Sequence, residues 1–244
     1  MTTTEAMIYQ LKQLKGKPLK QKIEHIVTYF WLPIVIAIAL LIAIGSYVVH
    51  LATVKDMALS VLCINAYAES EAVETLATGF AEDAQIDLNE YDVQISTDLL
   101  LDGVDPSRDY NSAQAVAAMI AANSVDLLAG DLDVATGYFY QDVYWNLNQL
   151  MTEQQKAKYA EHFLYVDMAV MRLFLDEEVL PAQFPDPTKP EEMEEPVPVA
   201  LLINADNVFA TTCYPHIKNG VAIGIVGNSQ NLENALAFLD HIMQ

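Results

Sequence analysis

Three carboxylates, Asp126, Asp131 and Asp133, fall within the run IAANSVDLLAGDLD at positions 120 to 133. Oxygen ligands at loose spacing are what a hard cation such as Ca²⁺ takes outside a cell. The spacing here is not that of a recognised calcium loop, however. An aspartate just ahead of a helix also caps the free N–H groups of its first turn, and that is the role expected of Asp131 or Asp133. A second acidic run, Asp98, Asp102, Asp105 and Asp109, sits in the turn-rich stretch TDLLLDGVDPSRDY and reads as a solvated turn. Directly after the first run come Tyr138, Phe139, Tyr140, Tyr144 and Trp145. Rings at helical spacing can line a cleft and stack on a ligand, and the same rings can simply pack a helix on a sheet.

Nothing in the chain has the pattern of an enzyme. His25, His50, His162, His216 and His241 are scattered, with no pair at metal-ligand spacing. There is neither a glycine-rich phosphate loop nor a serine elbow. The expectation is a non-enzymatic protein with no metal and no cofactor. The enzymatic alternative is a triad assembled from residues distant in sequence. The two cysteines, Cys63 and Cys213, admit a disulfide if their strands are neighbours, and otherwise two separate buried thiols.

These side chains need elements to position them, and the chain divides before those elements begin. Residues 29 to 51 contain no Asp, Glu, Lys or Arg. At ~1.5 Å per residue such a run covers a bilayer with some tilt, so a transmembrane helix is expected over 29 to 54. Five lysines (12, 15, 17, 20 and 22) precede it and only Lys55 closely follows it. That asymmetry keeps residues 1 to 28 cytoplasmic and puts residues 55 to 244 outside, at a bacterial surface. Few residues separate Leu51 from Met57, so the outer part is expected close to the membrane. It carries 7 basic against 31 acidic side chains, a net −24. Such a charge opposes nucleic acid and anionic lipid and favours cationic partners.

Within residues 55 to 244, apolar runs at 58 to 64, 125 to 129, 199 to 204 and 221 to 226 read as buried strands, and 91 to 96 alternates as another. Helical patterns at 70 to 84, 111 to 123, 131 to 150, 153 to 164 and 230 to 243 lie between and after them. This alternation predicts an α/β fold with a mainly parallel sheet of about five strands. Ligands of such sheets sit outside the carboxyl ends of the strands, which marks Asn65, Ser96, Gly130 and Asp131, together with Tyr138, Tyr140 and Trp145, as the candidate ligand-binding residues. Residues 181 to 198 hold six of the ten prolines and four glutamates and read as an exposed, mobile loop.

The stretch AVAAMIAANSVDLLAGD followed by NLNQLMTEQQ, and the tail VAIGIVGNSQNLENALAFLDHI, resemble the first lobe of the type 2 solute-binding proteins of ABC importers. The resemblance covers residues 58 to 165 and 199 to 244. It implies one lobe of a ligand-binding fold, but the second lobe that would close over the ligand has only about 30 residues available to it here, too few for a domain. The reading that follows is a membrane-anchored binding or interaction domain, an accessory subunit of a transporter or sensor complex or a binder of cationic peptides. The alternative is a reduced solute-binding domain holding a small ligand at the strand ends.

Overall fold

The computed structural model describes Tyr9 and residues 18 to 53, 55 to 101, 106 to 176 and 179 to 243. Two compact units divide between Val54 and Lys55. The first is a single helix, α1 (Leu19–Thr53), 35 residues long with Pro33 inside it. Every side chain described from Trp31 to Tyr47 is exposed. Counted over the described residues, no helix is long and apolar enough to cross a membrane. The charge-free run 29 to 51 extends past the described side chains at both ends.

The second unit is built on a six-stranded sheet. Its elements are β1 (Asp56–Ile64), α2 (Ser70–Asp83), β2 (Tyr91–Leu99), α3 (Pro106–Ala121), β3 (Leu127–Asp131), α4 (Leu132–Phe139), α5 (Leu147–Leu150), α6 (Glu153–Lys158), β4 (Phe163–Asp167), α7 (Met168–Leu175), β5 (Pro196–Ile203), α8 (Val208–Cys213), β6 (Val221–Ile225) and α9 (Leu232–Ile242). Strands lie in the order β2-β1-β3-β6-β5-β4. β1 pairs in parallel with β2 and β3, whereas β3–β6, β6–β5 and β5–β4 are antiparallel. Four of the six strands share one direction, and β4 and β6 run against them.

Alternating side chains along the central strands supply two cores, one on each face. On one face Leu59, Val61 and Cys63 of β1 pack with Phe80 of α2, Phe209 of α8 and Phe238 of α9. On the other Leu62, Ile64 and Leu128 pack with Val116 of α3, Phe139 of α4 and Met171 of α7. Helices therefore cover both sides of the sheet, as the sequence pattern predicts.

Three local expectations are corrected. Residues 153 to 164 do not form one helix: the capping box at Thr152 and Gln155 starts α6 as expected, but the chain turns at 160 to 162 and enters β4. Residues 131 to 150 break between α4 and α5, and the break carries the site described below. The proline-rich stretch is tied down at several points. Tyr165 N donates to Pro187 O at 2.8 Å, the Phe184 ring stacks on Tyr140 at 3.8 Å, and the stretch ends inside β5. Of the acidic run from 98 to 109, Asp102 and Asp105 lie outside the described residues.

Candidate functional site

At the carboxyl ends of β1 and β3 the expected rim is present but closed by its own hydrogen bonds. Asn65 ends β1 with φ +59°, a conformation asparagine tolerates better than most residues. Its Nδ2 donates to Asp131 Oδ2 at 2.7 Å and to Leu101 O at 3.2 Å, and its Oδ1 accepts from Leu101 N at 2.6 Å. Asp131 uses its other oxygen to accept from Val134 N at 3.0 Å, which caps α4. Both residues line a depression of about 260 Å³ with Tyr67 and Tyr214. Gly130 gives no special access, since a methyl there would meet only ordinary contacts, Val134 Cγ1 at 3.7 Å being the nearest.

The remaining candidates do not join this rim. Ser96 lies on edge strand β2, in a separate furrow between β2 and α2. Tyr140 is fully buried under Phe184. Tyr138 is half-buried against the same core, and burial pushes its phenol pKa up. The calcium reading is overturned by where the carboxylates point. Asp126 sits at the opposite end of β3 from Asp131, 3% exposed. Its Oδ2 accepts from Ser60 N (2.9 Å) and Asn231 Nδ2 (3.1 Å), and its Oδ1 from Ser229 Oγ (2.6 Å) and Asn231 N (3.3 Å). It is a clamp joining β1 to the turn after β6. Among the described residues no group of three or more His, Cys, Asp or Glu could hold a metal ion.

Trp145 belongs to a different place, the one that sequence reasoning missed. Before Leu201, β5 does not pair with β6, and residues 143 to 145 take its place: Trp145 N donates to Ile225 O at 2.8 Å and Gly227 N to Val143 O at 2.7 Å. Here the chain passes from one face of the sheet to the other, with Tyr144 in one core and Leu147 in the opposite one. Gly224 makes the passage possible. A methyl on it would lie 2.7 Å from Val199 O and 2.8 Å from Tyr144 Cε1, closer than real carbon contacts come. A glycine inside the strand pattern VAIGIV is the signal that a side chain approaches the backbone closely.

Where β5 leaves β6 a cavity of about 570 Å³ opens, lined by Phe139, Tyr144, Val166, Met171, Val199 and Asn228 among others. It lies at the carboxyl ends of β4 and β6. Its lining is mixed, with polar side chains from Gln141, Asn146, Gln149 and Asn228 beside the apolar ones. Among the described residues, Asp142 is the one carboxylate of the lining, and no Lys, Arg or His joins it. Burial, with the neighbouring Tyr138 phenol, pushes the Tyr144 pKa far up, so Tyr144 stays a neutral hydroxyl. Two lining residues carry covered polar atoms with no hydrogen-bond partner among the described residues, Trp145 Nε1 and Asn228 Oδ1. The Asn228 amide is oriented by Nδ2 donating to Ile120 O at 2.6 Å, which leaves Oδ1 as an acceptor.

Below the cavity, Asp167 ends β4 and is 3% exposed. Its carboxylate accepts from Ala169 N (3.0 Å), Glu194 N (2.8 Å) and Glu195 N (3.1 Å). Burial pushes its pKa up, but these backbone N–H groups outweigh that and hold it below the ordinary carboxylate value.

Fold and site together define an α/β domain with a strand-end rim closed by its own hydrogen bonds and a cavity at the opposite end of the sheet. No family model and no curated protein matches the chain. A solved structure, that of the periplasmic binding protein P5PA, is similar at 14% identity over 78% of this chain and 80% of that one, with a TM-score of 0.33. A likeness that slight carries no argument about ligand or role.

Proposed function

We propose that residues 55 to 244 form a non-enzymatic binding domain that holds a small amphipathic, non-anionic ligand in the cavity between the ends of β4, β5 and β6. The observation that carries this reading is the cavity's chemistry. A space of that size with a mixed polar and apolar lining, several amide groups, one carboxylate and, among the described residues, no cation suits an uncharged organic body with both polar and apolar parts and disfavours carboxylates and phosphates. The neutral fluorophore N-phenyl-1-naphthylamine tests it. Saturable enhancement of its emission, abolished by Val199→Trp with the circular dichroism unchanged, is the expected result. Enhancement of equal size in the filled variant would overturn the reading.

We further propose that the run 29 to 51 anchors the domain in a membrane with its acidic part outside. Support comes from the sequence: 23 positions without a charge, five lysines ahead of them, and helix α1 continuous through Thr53. Recovery of the full chain in the carbonate-washed membrane fraction, with residues 55 to 244 digested by external protease in spheroplasts, is expected. Release into the soluble fraction would sink this part and leave the cavity reading intact.

A further inference from the structure

Cys63 and Cys213 come from distant parts of the chain and meet in one core. Cys63 lies on the face of β1 that packs against α2, α8 and α9, and Cys213 closes α8. Both are 0% exposed. Their backbones are drawn together by Tyr67 N, just past the end of β1, which donates to the Cys213 carbonyl at 2.9 Å. Both are free thiols, near enough in that core for Cys213 to act on the ionisation of Cys63, with the buried Tyr214 next to Cys213 in the chain.

We propose that Cys63 and Cys213 are a disulfide site that closes only while the chain is folding in contact with a disulfide-bearing oxidant, and that the folded protein then keeps whichever redox state it folded in. The step balances without a cofactor. A thiolate of the unfolded chain attacks the oxidant's disulfide and releases one thiol. The second cysteine, as thiolate, then displaces the other half. The protein loses two electrons and two protons, and the oxidant leaves as two thiols. After folding the exchange stops for two reasons. No oxidant reaches either sulfur. The thiolate that would react is also disfavoured, because the neighbouring Cys213 thiol and burial raise the Cys63 pKa well above its usual value.

A disulfide site explains why two thiols from distant parts of the chain share one core, held by the backbone tie from Tyr67 to Cys213, where single buried cysteines serve equally well as small apolar side chains. The inference does not depend on the cavity or on the membrane anchor. It is tested on the full chain, made by cell-free synthesis in detergent with either oxidised or reduced glutathione. Free thiols are then blocked with N-ethylmaleimide under denaturing conditions and the intact mass is read. Protein made with oxidised glutathione should carry no maleimide and yield one linked peptide joining Cys63 to Cys213. Protein made reduced, and only afterwards given the same oxidant while folded, should carry two and oxidise more slowly by more than about tenfold.

Two maleimides on the protein made with oxidised glutathione would overturn the site, as would glutathione on each sulfur or a link between chains. Rapid oxidation of the folded, reduced protein would overturn the retention of redox state. Cys63→Ala and Cys213→Ala should each leave one thiol that takes maleimide in the reduced preparation, and in the oxidised one should carry glutathione or maleimide on that sulfur and no link within the chain, whether or not the variant is stable.

Discussion

The two ends of the central sheet have been put to opposite uses. At the carboxyl ends of β1 and β3, Asn65 makes three hydrogen bonds and Asp131 caps a helix, so the polar groups there are already satisfied. At the carboxyl ends of β4 and β6, β5 parts from β6, a tyrosine crosses the sheet over a glycine, and space remains. The rule that α/β sheets offer ligands the ends of their strands holds strand by strand. When two strands are reversed, the free end moves with them.

Substitutions at two glycines separate the ends most sharply. Gly224→Ala forces its methyl on Val199 O and the Tyr144 ring, and should cost about 3 kcal/mol in chemical denaturation and abolish fluorophore binding. Gly130→Ala, at the closed end, should cost under about 1 kcal/mol and leave binding unchanged. Equal costs at both would break the contrast.

Asn65→Ala should lose about 2 kcal/mol, through three hydrogen bonds and a left-handed backbone position, without weakening fluorophore binding. A variant of unchanged stability that fails to bind would restore the closed end as the ligand site.

Asp167 distinguishes the ends by pH. Its folded pKa lies below its unfolded one, so its contribution is complete above the unfolded carboxylate value of about 3.9 and disappears as the pH falls through the folded value. Asp167→Asn should therefore lower stability by about 1 to 2 kcal/mol at neutral pH and flatten its fall in acid, as read by thermal melts across pH. Ser96→Ala, on edge strand β2, should change neither stability nor binding by more than about 0.5 kcal/mol.

The sequence was most legible where structure is local. The run ALSVLCI, the alternation in YDVQIS and the capping box at Thr152 each led to the element found. Strand β4 was hidden because the helical reading begun at that capping box runs to residue 164, two residues into FLYVD. Strand direction was not legible, since whether β6 returns beside β3 depends on how α8 packs and not on the pattern VAIGI. The closed rim could be placed from strand ends alone, but its hydrogen bonds join residues 36 and 66 positions apart. The cavity is more remote still, as its lining runs from Ile120 to Asn228. Of its lining, Phe139, Tyr144 and Trp145 stood out in one dimension as clustered rings, and beside it Gly224 left a mark as a glycine inside a strand pattern.

The passage of residues 143 to 147 through the sheet has an optical consequence. The chain contains two tryptophans, Trp31 in α1 and Trp145 in the lining of the cavity. With Trp31→Phe, all indole emission would come from a ring at the crossing point, its N–H withdrawn from solvent and without a partner among the described residues. Any molecule entering the cavity would alter the colour and yield of that light, so the protein carries its own gauge of occupancy.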